Sequence, residues 1–302
     1  MKWAKPGNFL AALAASFITL LGAGSIFAEP VGPMVLEKPD RTSAKPALRL
    51  GASFHVWQTL SFSGSVRVDE YKTKGDDLSL VGDLGMDSWT EADAEINYRI
   101  TERNLIRLVY TRFFYAGSAI LPTDVNFNGV TLLRERTVDV SHTDHYRISL
   151  ILEHMFRDPV GDARVTLLTG ILYDSMSFHV DGKKSPLSRR SEDSENFRKQ
   201  ALPLPMIGIR VEEQFIPSYD SFFEVYGLWL PPVATPFDEG GTITESQSVL
   251  EVSLGLKRKL GPALLSAAYR YKHFEIKEVS DEDLNHLQIF GSGVELGIEW
   301  RF

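Results

Sequence analysis

Residues 48–69 read LRLGASFHVWQTLSFSGSVRVD. Its even positions are mostly apolar: Leu48, Leu50, Ala52, Phe54, Val56, Leu60, Phe62, Val66 and Val68, interrupted by Gln58 and Gly64. From Ser53 onward the odd partners are Ser53, His55, Trp57, Thr59, Ser61, Ser63, Ser65, Arg67 and Asp69. A period of two sends the two sets to opposite faces of a strand. The stretch therefore predicts one long strand, with a greasy even face and a polar odd face.

The same alternation recurs along the chain. Ala92, Ala94, Ile96, Tyr98 and Ile100 alternate with Glu91, Asp93, Glu95, Asn97 and Arg99; Tyr146, Ile148, Leu150 and Leu152 alternate with polar partners, Ile151 excepted. Further strands are expected at 105–115, 164–180, 204–215, 221–230, 248–258, 263–277 and 288–302, which makes about ten, with eight or twelve left open. Taken in order, the connections alternate between long (70–89, 116–141, 181–201, 231–247, 278–287) and short (101–104, 157–162, 216–220, 260–262). Long loops alternating with tight turns, over strands with one apolar face, predict a transmembrane antiparallel up-and-down β-barrel spanning 48–302. A soluble sandwich or lipocalin gives no reason for that alternation in loop length.

On a barrel the polar faces line the lumen. They carry Glu91, Asp93, Glu95, Glu153, Asp174, Glu212, Glu224, Glu251, Glu295 and Glu299, with Arg99, Arg107, Arg147, Arg164, Arg210, Lys257, Arg270, Lys272 and Arg301. Ten acids and nine bases predict a nearly neutral ion-pair network inside a narrow interior. Tyr110, Phe114, Tyr146, Tyr173, Trp229 and Tyr271 fall toward the long loops, and Phe156, Phe215, Trp300 and Phe302 toward the short turns. Two aromatic bands around an aliphatic belt are what membrane interfaces select.

The averages hide this pattern. The 302 residues have a net charge of −8 and 43% hydrophobic content, which pass for soluble, with a mean hydropathy of −0.11. Lys2 and Lys5, the apolar run Phe9 to Leu21 and the small residues Gly22 to Ser25 form the charged, apolar and small-residue order of a signal peptide, with cleavage expected after Ala28. Removing it leaves 274 residues, 30 basic against 40 acidic. Residues 29–47, with four prolines and no period, read as a flexible periplasmic lead-in. The absence of cysteine excludes disulfides, thiolate metal sites, a cysteine nucleophile and a lipoprotein anchor. The acidic balance argues against a nucleic-acid binder.

The chain ends on Val294, Leu296, Ile298, Trp300 and Phe302 at alternate places. This ending resembles the assembly signal of bacterial outer-membrane proteins, and the resemblance implies insertion by the barrel assembly machinery. More broadly, the string DDLSLVGDLGMD (76–87), the strands after it and VNFNGVTL (125–132) are similar to small proteobacterial outer-membrane barrels, distant neighbours of the outer-membrane protein W type. No settled activity follows from that resemblance.

Ten strands and this length also fit the omptin proteases, which use paired aspartates and an Asp and His pair at the extracellular rim. Here Asp87-Ser88-Trp89 lacks the partner aspartate and Asp144-His145 the intervening residue. His142 and Asp144 share a strand face and are the candidates for a rim hydrolase, with no nucleophile in evidence. The acidic first loop (Asp69, Glu70, Asp76, Asp77, Asp83, Asp87) lacks the ligand spacing of a calcium site. In the third loop Lys183, Lys184, Arg189 and Arg190 suit lipopolysaccharide phosphates or an adhesive role. The expectation is thus a monomeric, non-catalytic outer-membrane barrel without cofactor or metal, structural or passing small solutes.

Overall fold

The computed structural model describes residues 49–302 except 71–72, 141–144, 157–162, 183–194, 199–202, 217, 239–241 and 282. The expected signal peptide and lead-in lie outside these residues. Ten long strands make the wall: β1 (Leu50–Asp69), β3 (Met86–Arg99), β4 (Asn104–Ile120), β8 (Tyr146–Met155), β9 (Arg164–Ser175), β12 (Pro203–Ile216), β13 (Tyr219–Asp238), β14 (Thr242–Leu260), β15 (Ala263–Val279) and β16 (Leu284–Arg301). Each pairs antiparallel with its neighbour in this order, and β1 closes on β16, so the fold is a closed ten-stranded barrel. Six short strands complete it: β2 (Leu78–Ser79), β5 (Val125–Phe127), β6 (Val130–Leu132), β7 (Thr137–Val140), β10 (Ser177–Gly182) and β11 (Glu195–Arg198).

The strands run further than the alternation suggested, and much of the expected fourth long loop is ladder between β13 and β14. β1 has 20 residues, whereas a tilted strand crosses hydrocarbon in about 9–11. The half of the barrel nearest the long loops therefore stands above the part that a membrane would cover. Leu260 pairs with Ala263 across Gly261-Pro262, whose Gly261 has φ 59°. Glycine in first place with positive φ suits a two-residue hairpin turn.

Outside, Phe54, Ile96, Leu108, Leu150, Ile171, Ile207, Phe223 and Leu254 are exposed. The aromatic side chains Tyr110, Phe114, Tyr173, Trp229 and Tyr271 are exposed nearer the long loops, and Tyr98, Phe156, Trp300 and Phe302 nearer the tight turns. The rings of Tyr110, Tyr146 and Tyr173, from three neighbouring strands, follow one another at 6.2 and 6.4 Å. The side chain of Phe215 is outside the described set. An apolar belt this continuous, rimmed by aromatics, is the surface of a membrane-spanning barrel of the outer-membrane type.

One expectation fails halfway up β1. The pairing with β16 slips between Thr59 and Ser61, a β-bulge with Leu60 as the extra residue. The Thr59 hydroxyl accepts the Trp89 N–H at 2.8 Å and donates to the Trp89 carbonyl at 3.0 Å, just past the last β1–β3 ladder pair. A bulge exchanges the two faces of the strand. Below it the odd residues Ser53, Trp57 and Thr59 point inward; above it the even residues Val66 and Val68 are buried, and Ser61 and Ser63 are exposed. The even face of 48–69 is thus not one lipid-facing surface.

Above the bulge the interior is mostly apolar, although Glu245, Gln247 and Glu278 are also buried there. Val66, Val68, Phe274, Ile276, Leu287 and Ile289 face inward from the wall. The first loop lays Leu78, Leu80 and Leu84 among them, paired to β1 through Ser65–Ser79 and Val66–Leu78. Gly85, at φ 63°, sits against Ser118, whose carbonyl a Cβ would meet at 2.2 Å. The second loop adds the hairpin β5–β6, turned by Asn128-Gly129 with φ 50° and 75°, which are the positive values that a type I′ turn needs. It buries Val125, Phe127, Val130 and Leu132.

Candidate functional site

Inward-facing side chains of the lower half meet in one charged layer. Arg147 donates to Asp174 twice at 3.1 Å and to Glu251 at 2.7 Å. Lys272 pairs with Glu91 and, at 3.1 Å, with Glu251; the Tyr226 hydroxyl donates to Glu251 at 2.5 Å. Arg270 binds Glu295, Asp93 (3.5 Å) and Glu251 (3.8 Å). Arg107 reaches Glu153 (3.2 Å), Glu95 (3.8 Å) and Glu224 (4.0 Å), and Arg210 joins Glu224 to Glu153 (3.0 Å). Alternation explains the set, because each residue is an inward position of its strand.

The other expected members lie apart, around the tight-turn mouth. Lys257 pairs with Glu212, and Arg164 reaches Glu212 at 3.8 Å and Asp220 at 3.7 Å. Arg301 pairs with its own strand neighbour Glu299 at 2.8 Å, and Arg99 donates to the turn carbonyl of Glu102 at 3.3 Å. The single lumen network is therefore two groups. Strand-end side chains sit beside solvent and pair locally, while mid-strand ones are forced onto partners across the lumen.

Separating them changes the charge balance. The central layer holds eight carboxylates against five permanent cations among the described residues. Two imidazoles lie against three of those acids: His55 between Glu295 (3.5 Å) and Glu95 (4.0 Å), and His145 with Nε2 at 2.9 Å from Asp174. Neither His55 nor Tyr226 was among the expected site residues. Their odd and even positions already placed them on the inward face, but neither carries a permanent charge to mark it.

The apolar core rests on this layer through aromatic rings. The Arg147 guanidinium lies 5.3 Å from the Phe113 ring centre and Lys272 Nζ 5.1 Å from Trp57, cation–π contacts that hold a desolvated cation from above. His145 stacks on Phe113 at 3.7 Å with Trp89, Tyr115 and Phe274 around it, and is fully buried. Inside the layer a cavity of about 30 Å³ is lined by Asp93, Arg107, Glu224, Tyr226, Glu251 and Arg270, among others. That is room for a few waters.

The rim candidates His142 and Asp144 lie outside the described residues, as do Lys183, Lys184, Arg189 and Arg190. Acidic residues of the first loop brace it. Asp69 accepts from Arg67 (2.7 Å) and the Gly75 N–H (2.9 Å), Asp83 from the Ser79 N–H (2.8 Å), and Asp76 from the Asn126 N–H (2.7 Å). No cluster of three metal-ligating side chains occurs among the described residues. Val294, Leu296, Ile298 and Trp300 occupy the outward face of β16, and Phe302, just past its end, is exposed.

No protein-family model and no curated protein matches the chain. Solved structures similar to it include the outer-membrane protease OmpT from Escherichia coli, at 12% identity over 87% of this chain and 99% of that one, with a TM-score of 0.45. The translocator domain of the autotransporter NalP from Neisseria meningitidis follows at 11% identity, 98% and 97% coverage and 0.41. Neisserial surface protein A is similar at 12%, 83% and 99%, with 0.28. Likeness at this level says nothing about what this chain binds or does.

Proposed function

We propose that the chain is a monomeric bacterial outer-membrane barrel, exported by a cleaved signal peptide and inserted by the barrel assembly machinery, that is closed to solutes and non-catalytic. One observation carries the reading: a largely apolar core occupies the upper interior, with Glu245, Gln247 and Glu278 buried there too, above a charged layer whose cavity is about 30 Å³. A path for ions needs continuous water, and the buried apolar side chains of the upper half together with the small cavity below them argue against one. The buried His145–Asp174 pair is walled by aromatic rings and is 0% exposed on both side chains, which argues against its acting on a substrate. The interior thus supports a rigid platform for extracellular loops within lipid and lipopolysaccharide.

Planar-bilayer recording of the refolded protein tests this. The expected result is a flat trace across applied voltages. Reproducible conductance steps from the purified chain overturn the closed reading and restore the small-solute pore.

A further inference from the structure

The outer wall above the aromatic band is not uniform. On β4 it stays partly apolar, with Phe114 at 52% and Ile120 at 70% exposure. On β14, β15, β16 and β1 the registers build a polar grid. One row runs Ser248, Glu275, Gln288 and Ser65; the row below it holds His273, Phe290 and Ser63. Beneath that lies Tyr271 opposite Ser292, whose hydroxyl accepts from Tyr269 at 2.8 Å. The grid therefore begins immediately above the ring that marks the lipid boundary.

Its side chains are held but reachable. Glu275 lies between two imidazoles, hydrogen-bonded with His286 Nε2 at 3.1 Å and 3.8 Å from His273 Nε2, with 37% of its side chain exposed. His273 also lies 3.2 Å from the Ser248 hydroxyl and packs on Phe290 with ring centres 4.7 Å apart. A pre-positioned carboxylate that accepts from two neighbouring hydroxyls, an amide beside it and an aromatic face for C–H groups form the recognition chemistry of a sugar ring. An acyl chain or a bare phosphate has no use for the carboxylate. We propose that this wall binds the inner-core sugars of the lipopolysaccharide in which the barrel stands.

The proposal rests on the membrane placement above, which fails separately if the native chain is recovered in the soluble periplasmic fraction. The test titrates refolded, detergent-held protein with lipopolysaccharide carrying only inner-core sugars, and in parallel with sugar-free lipid A and with phospholipid. Core-bearing glycolipid is expected to bind more tightly than lipid A. Glu275→Gln and Phe290→Ala are each expected to erase about three- to tenfold of that difference, the worth of one hydrogen-bonding or stacking contact, with lipid A affinity unchanged. Equal affinity for core-bearing glycolipid and lipid A, or a difference that survives both substitutions, overturns the assignment. Heat-modifiable gel migration confirms that each variant is folded.

Discussion

The two halves of this barrel are built on opposite rules. In the lower half aliphatic side chains face out and charges face in; in the upper half Ser61, Glu275 and Gln288 face out while Val66, Ile276 and Leu287 face in. The same wall is thus inverted for lipid below and arranged like a soluble protein above. The strands achieve the change in two ways. In β15 the pattern itself slips, from outward Tyr269 and Tyr271 to inward Phe274 and Ile276. In β1 the pattern continues unbroken and the backbone slips instead, through the bulge at Leu60.

The most severe way to break this arrangement is to insert one alanine after Ser61, beside the existing bulge. With the alternation continued from Ser61, the upper half of β1 then presents Phe62, Val66 and Val68 to water and its serines to the core. Loss of that burial is expected to cost about 5 kcal/mol or more, seen as failure to reach the heat-resistant gel form. Next comes Arg147→Ala, which leaves Asp174 and Glu251 facing each other without their shared cation. Breaking a buried pair costs about 3–5 kcal/mol, to be read from urea unfolding in lipid vesicles.

Matched outward substitutions sharpen the contrast. Leu254→Lys, on the lipid belt at 63% exposure, is expected to cost about 2–4 kcal/mol. Ser246→Lys, on the same face of the same strand but in the upper half, is expected to cost less than about 0.5 kcal/mol. Equal costs in the same vesicle assay contradict the division into halves. On conductance the smallest effect is expected from replacing residues 76–84 by a short glycine-serine linker: loss of the buried Leu78, Leu80 and Leu84 loosens the upper core, the charged layer still seals, and bilayer recordings stay flat.

Much of this was legible in the residues. Alternation, the rhythm of long and short connections and the inward charges specify a closed barrel, because each is local and of period two. The central acids and arginines were legible for the same reason. The bulge was not: an apolar pattern that continues through Leu60 looks like one face, whether that face meets lipid or core. Nor does alternation say how high along a strand a charge sits, which is why Arg99, Arg164, Glu299 and Arg301 were grouped with the central layer. The Asn128-Gly129 hairpin, by contrast, carried a readable signal between Val125–Phe127 and Val130–Leu132 that pointed to ordered structure within a long loop.

The closure of β1 on β16 joins the first and last strands over Gly51–Arg301 to Asp69–Leu284. That geometry imposes an order in time. Glu295 arrives with the final strand, so Arg270 and His55 wait for it until nearly the whole chain has emerged. A barrel halted before its last strand lacks that shared carboxylate and leaves the edges of β1 and β15 unpaired at the depth of the hydrocarbon, where unsatisfied backbone groups are costly. Insertion and closure must therefore proceed as one event, and a chain truncated ahead of β16 is expected to stall outside the bilayer and be degraded.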